Sequence, residues 1–306
     1  MKTILNVLYR PAYPKDCLID FYLPDTDVSA PLFVYFHGGG LEAGNRHCDF
    51  LYDLPEKFGI AVASVEYRMY PEAHDPDFVD DCAASVAFIR EYVQKNLPYL
   101  DVEHKLFVGG SSAGGYLSMM LCFAPQYLEK YGMKPTDVAG YIHDAGQPTV
   151  HFNILRERGQ DTRLVRIDES APIWYIDHTP KPEEVPAMCI LYSENDITNR
   201  PEQTALLYRT MAHFAYPMEK IEMHYFPGYG HCGQLLAVDP DDGIHVFCKN
   251  GSCFHSKDLS KLNCTDRKHT HESSHRCVFC YLSGNYISAL DFSTIFRLLG
   301  TMPACS

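Results

Sequence analysis

Seven short apolar runs, separated by longer segments of helical periodicity, restrict this chain to few folds. The runs are CLIDFYLP, PLFVYFH, GIAVASVEYR, KLFVGGS, AGYIHDAG, AMCILYSEND and KIEMHYFPG. The central ones are apolar on successive positions, as strands buried on both faces must be. Between two of them Phe78, Cys82, Ser85, Val86, Ile89 and Val93 recur at helical spacing, and between two others Ala205, Leu206, Tyr208, Arg209 and Met211 do the same. Strand alternating with helix in this way predicts an α/β architecture: a mostly parallel central sheet with helices on both faces. The 306 residues, 46% of them hydrophobic, suffice for a sizeable core. No internal repeat or low-complexity linker interrupts the rhythm, so a single domain over residues 1–306 is expected.

Charge narrows the function classes. A formal net charge of -13 argues against a nucleic-acid partner, because nothing neutralises phosphates over a long footprint. The N-terminal apolar patch is broken by Arg10, Pro11 and Lys15, too early for the core of a secretory signal, and no later stretch has the length of a membrane span. A cytoplasmic location without membrane contact is the expectation. Twelve cysteines do not alter it. Cys17, Cys48, Cys82, Cys122, Cys189 and Cys232 stand singly among apolar neighbours, where cysteine behaves as a small hydrophobe.

The chemistry is concentrated where strands end. KLFVGG runs directly into SSAGGYLSMMLCF, so Gly110 to Gly114 form a G-x-S-x-G pentapeptide at a strand-to-helix junction, where the turn thrusts its central serine out. That makes Ser112 the candidate nucleophile; Ser111 is the rival, but its frame would need glycine at position 113, which is Ala113. A serine hydroxyl needs a base, and the base an orienting carboxylate. Asp196 follows one later strand and His231 follows the next, both at the sheet edge expected for Ser112. Glu194 lies nearer the strand proper, and His224 alternates within a strand pattern as a sheet-face residue. His143 and Asp144 read as satisfied polar residues at the rim, and Cys232 as packing. An acyl-transfer oxyanion also requires N–H donors that a ligand can approach without a Cβ in the way. The run HGGG, His37 to Gly40, supplies such backbone, together with the N–H of Ala113.

HGGG, VEYRMYPE from Val65, GGSSAGG from Gly109, SENDITNRPEQ around Asp196 and GYGHCG around His231 follow one another in an order that resembles the α/β-hydrolase fold. More narrowly, they resemble its hormone-sensitive-lipase-like esterases and short-chain carboxylesterases. The resemblance spans roughly Pro31 to Val238. It implies an α/β-hydrolase fold with a small lid excursion, Ser112 as nucleophile, His231 as general base and Asp196 as its orienter. It further implies Gly39, Gly40 and Ala113 as oxyanion donors, no cofactor, and Arg68 with Glu72 as braces near the nucleophile. The family's usual GDSAGG carries Ser111 here in place of the aspartate. RIDESAPIWYI looks like the lid segment of relatives that include feruloyl and acetyl esterases and kynurenine formamidase. The expected activity is therefore hydrolysis of a small short-chain ester; an N-formylkynurenine amidase and an inactive binding protein on the same fold are the alternatives.

Two segments depart from the strand–helix rhythm. Residues 147–186 carry charged and aromatic residues without a strand pattern and are expected to form a lid whose Phe152, Ile173, Trp174 and Tyr175 line an acyl pocket. Residues 248–284 form a Cys/His-rich insertion ahead of a closing helical pattern at Ile287, Leu290, Ile295, Leu298 and Leu299. Its spacing matches no regular zinc finger, so no metal site is expected.

Overall fold

The computed structural model describes residues 1–26 and 29–251; all of the Cys/His-rich insertion beyond residue 251, and the closing helical pattern, lie outside the described residues. Eight strands form one sheet: β1 (Lys2–Leu8), β2 (Leu18–Leu23), β3 (Leu32–Phe36), β4 (Ala61–Val65), β5 (Leu106–Ser111), β6 (Gly140–Asp144), β7 (Met188–Asn195) and β8 (Ile221–Gly230). Their order is β1-β2-β4-β3-β5-β6-β7-β8. The first two pairings are antiparallel and all others parallel. This is the α/β-hydrolase fold expected from the sequence, with all seven apolar runs in strands.

Helices α1 (Asp53–Lys57), α2 (Asp77–Asn96), α3 (Ala113–Phe123), α4 (Gln126–Glu129), α5 (Phe152–Glu157), α6 (Arg200–His213), α7 (Gly233–Leu236) and α8 (Val246–Gly251), with five short 3-10 turns, join and follow the strands among the described residues. The core divides across the sheet. One cluster joins Val34, Phe36, Ala63 and Val108 to the apolar faces of α2, α3 and α6. The other joins Phe33, Tyr35, Phe107 and Ile142 to Leu51, Leu54 and Phe247. Alternate residues of β3 thus serve opposite faces, as the period of two requires.

Sheet order fixes where a ligand can sit. From β3 the chain moves to one side, to β4, and then returns past it to β5 on the other side. The loops leaving β3 and β5 therefore diverge and open a crevice at the carboxyl ends of these two strands, the position where open α/β sheets bind ligands. HGGG leaves β3 and Ser112 leaves β5. No described helix is long and apolar enough to cross a membrane.

Candidate active site

Ser112 sits on a sharp elbow between β5 and α3, with φ 57° and ψ -113°. A non-glycine residue holds that conformation only where its surroundings over-determine it. Here the Ser112 N–H donates to Asp144 O at 2.8 Å, and the Tyr116 N–H donates to Ser112 O at 3.0 Å. The glycines around it answer to contact. A Cβ on Gly114 would stand 1.9 Å from Phe36 O, and one on Gly110 2.5 Å from the same oxygen. Helix α3 can start this close to β3 only on bare backbone.

Ser112 Oγ lies 2.8 Å from His231 Nε2, and His231 Nδ1 lies 2.5 Å from Asp196 Oδ1. The same Asp196 oxygen accepts the Ile197 N–H at 2.6 Å, and the Asp196 side chain is wholly shielded from solvent. With Nδ1–H donated to Asp196, Nε2 is left as the acceptor for the serine proton. A serine, histidine and carboxylate in this relay can generate an alkoxide-like nucleophile and return the proton to a leaving group.

The glycine loop lies against Ser112. A Cβ on Gly38 would come within 3.3 Å of Ser112 Cβ, while Gly39 and Gly40 adopt φ of +114° and +67°. Among the described residues no acceptor takes the amide hydrogens of Gly39, Gly40 or Ala113; that of Ala113 opens α3 and has no intrahelical partner. The loop's brace differs from the expected Arg68–Glu72 pair. Glu72 is exposed, and Arg68 instead binds Asp81 on α2 through Nε at 2.8 Å. The residues that do hold the loop are Glu66, 3.3 Å from His37 Nε2, and Tyr67, whose hydroxyl donates to His37 O at 2.8 Å. Burial raises the Glu66 carboxyl, but His37 and Arg46 outweigh it and hold the group below its usual range.

Residues set aside in the sequence fall as follows. Glu194 is exposed and accepts the Gly228 N–H, and His224 lies on β8 beside Glu222. His143 and Asp144 are not rim residues: both are fully buried at the end of β6. Burial pushes the Asp144 carboxyl up to about 7, with the nearby Asp196 adding to the shift. Cys232 is shielded, and burial foremost drives its thiol well up, which suits packing over nucleophilic attack.

Residues 147–186 are bolted to the glycine loop. Asn153 Nδ2 donates to Gly40 O at 2.6 Å, and Arg156 pairs with Glu42. Of the four expected lining residues, Phe152 reaches the loop, its ring 2.9 Å from where a Gly40 Cβ would stand. Ile173 is buried in the core and Trp174 is half exposed. The Tyr175 hydroxyl donates to Glu169 O and accepts from Gln126 Nε2. Sequence reasoning passed over His151, whose Nδ1 accepts the Asn153 N–H at 3.2 Å. Burial, then Arg200 and His231, hold its imidazole neutral. It also passed over Arg200, buried at the start of α6 and donating to Ala145 O at 2.5 Å. His151 stands in none of the motifs, and Arg200 lies within SENDITNRPEQ, where Asp196 alone was singled out. Clefts of about 370 and 410 Å³ against α2 and beyond its end include neither Ser112 nor His231.

A sequence-family model, BD-FAE, matches residues 19–130. Among curated proteins, carboxylic ester hydrolase LipN of Mycobacterium tuberculosis is 32% identical over 123 residues, 40% of this chain and 32% of that protein. Tuliposide A-converting enzyme 2 of Tulipa gesneriana is 31% identical over 196 residues, 53% of this chain and 51% of that protein. The chain thus spans about half or less of the length of these curated relatives. Among solved structures, esterase B of Lactobacillus rhamnosis superposes with a TM-score of 0.64 at 18% identity, over 83% of this chain and 84% of that one. Bacterial heroin esterase gives 0.55 at 22% identity, over 82% and 80%. At these identities the structures speak for the fold. The resemblance to esterases of the α/β-hydrolase fold, read first from the motifs, is borne out.

Proposed function

We propose that this α/β-hydrolase-fold chain, similar in sequence to carboxylic ester hydrolases, is a serine carboxylesterase for short-chain, acetyl-like esters. The observation that carries the reading is the unbroken relay from Ser112 Oγ through His231 to Asp196, at 2.8 and 2.5 Å. His231 Nε2 accepts the Ser112 proton as Oγ attacks the ester carbonyl. The tetrahedral oxyanion is met by the amides of Gly39, Gly40 and Ala113, and the positive end of α3 adds to them. His231 then returns the proton to the departing alcohol, and water repeats the sequence on the acyl-enzyme. Asp196 holds the imidazole in the tautomer that leaves Nε2 free to accept.

Phe152 against Gly40 supports a short acyl group, since its ring occupies space beside the oxyanion loop. The esterase Est2 of Thermogutta terrifontis has been solved with propionate and with butyrate bound, which supports the same size class. The test is Ser112→Ala against 4-nitrophenyl acetate. Turnover is expected to vanish while the melting temperature holds; turnover at the wild-type rate would sink the assignment. Labelling by a fluorophosphonate separates this reading from an inactive binding protein, which would fold and take no label.

A further inference from the structure

The loop that carries His231 has little to hold it. Between Phe226 and Phe247 the chain runs at the surface, and Gln234 is its one fully buried residue. An anchor made of a glutamine has to find hydrogen-bond partners, because a buried amide without them is costly. Gln234 Nε2 donates to Asp144 Oδ1 at 2.5 Å, and Ser193 Oγ on β7 donates to Gln234 Oε1 at 3.1 Å.

Asp144 is tied to the nucleophile as well. In the β5–β6 register it stands directly opposite Ser111, and its carbonyl oxygen accepts the Ser112 N–H. One residue therefore touches the nucleophile elbow through its backbone and the histidine loop through its carboxyl. Its other contact, from Ser111 Oγ, comes from β5 and not from the histidine loop. The grip on the loop thus passes through Oδ1 and Gln234.

We propose that Asp144 and Gln234 are positioning residues whose hydrogen bond sets the His231 imidazole between Ser112 and Asp196. The proposal rests on the esterase reading for its kinetic consequence, but not for its structural one. Gln234 follows His231 by three residues, so it controls the ring through a short stretch of chain that includes Cys232 in the left-handed region, φ 54°. Misplacing a reacting group by about 1 Å can cost on the order of 10²-fold in rate.

Four variants and two readouts test this. Gln234→Met keeps the volume and removes both hydrogen bonds. Asp144→Ala removes the acceptor, and Asp144→Asn restores an acceptor oxygen at Oδ1. The double variant Gln234→Met/Asp144→Ala closes the cycle. In Gln234→Met and Asp144→Ala, kcat for 4-nitrophenyl acetate is expected to fall at least roughly tenfold with KM nearly unchanged. The double variant is expected to lose no more than the worse single one, and Asp144→Asn to recover most of the rate. The second readout is the low-field proton resonance of the His231–Asp196 hydrogen bond, expected to shift or broaden in the two disruptive variants and to return in Asp144→Asn. Additive losses, or an unchanged resonance in folded Gln234→Met, would overturn the proposal. If Gln234→Met does not fold, the contrast of Asp144→Ala with Asp144→Asn decides it, and loss without recovery counts against it. If wild-type protein turns over no ester and takes no fluorophosphonate, the esterase reading fails while the resonance still reports on positioning.

Discussion

His143 should make this protein lose stability in mild acid, and one substitution should remove that loss. Its imidazole is fully buried at the end of β6, with Nδ1 2.9 Å from Ser118 Oγ and the rings of Phe123 and Tyr141 alongside. Ser118 Oγ gives its own proton to Gly115 O at 2.9 Å, so Nδ1–H is the donor between the two. Nε2 is buried without a partner. Protonating it would place both a charge and an unmet N–H in the core, and burial accordingly pushes the group down to about 3. The folded-state value lies below the unfolded one of about 6.5, so the unfolded chain takes up a proton that the folded chain refuses. The stability contribution is whole above pH 6.5, falls as pH drops below it, and levels off only near pH 3. At pH 5.0 the deficit is about 2 kcal/mol, from RT ln(1 + 10^1.5), and at pH 7.5 it is close to zero. His143→Leu keeps the size, leaves Ser118 bonded to Gly115 O, and abolishes the titration. Urea unfolding followed by circular dichroism at both pH values should show the variant losing about 2 kcal/mol less than wild type on acidification. Equal losses in the two proteins would refute the claim that this histidine is held neutral.

Other expectations follow from packing and from the site. Gly114→Ala should yield protein that does not accumulate folded, because its Cβ would stand 1.9 Å from the Phe36 carbonyl oxygen; soluble expression with a native melt would contradict the close approach of α3 to β3. Glu66→Gln should cost roughly 3 kcal/mol, the order found when one partner of a buried ion pair is removed, and should lower kcat by loosening His37. Unfolding and turnover measured on the same preparation would test both effects. Among acetyl, butyryl, octanoyl and feruloyl esters the shortest acyl groups should give the highest kcat/KM, and a clear preference for octanoyl would count against Phe152 as a limit on acyl length.

The sequence by itself determined the layers and the residue types at the strand ends. Strands buried on both faces have to be apolar on successive positions, so β3, β4, β5 and β6 were legible without a partner in view. Strand β1 was not, because it lies at the sheet edge with five of its seven residues exposed, and its apolar residues Ile4, Leu5, Val7 and Leu8 do not form the unbroken run of a strand buried on both faces. The proposed site residues Ser112 and His231 and the HGGG loop could be picked out because ester hydrolysis would demand particular residue types in particular local contexts, a serine between glycines and bare backbone after a strand. What tertiary structure alone decided were pairs distant in sequence. Glu66 and not Glu72 supports the glycine loop, because β4 lies beside β3 and carries Glu66 to His37. Asp144 meets Gln234 because strand register sets it opposite Ser111 while the chain after β8 turns back over β6. Ile173 is buried and Trp174 half exposed on one short turn, a difference of orientation that composition cannot encode. Local pattern is written along the chain, whereas register and long-range pairing arise only when strands from different parts of it come side by side.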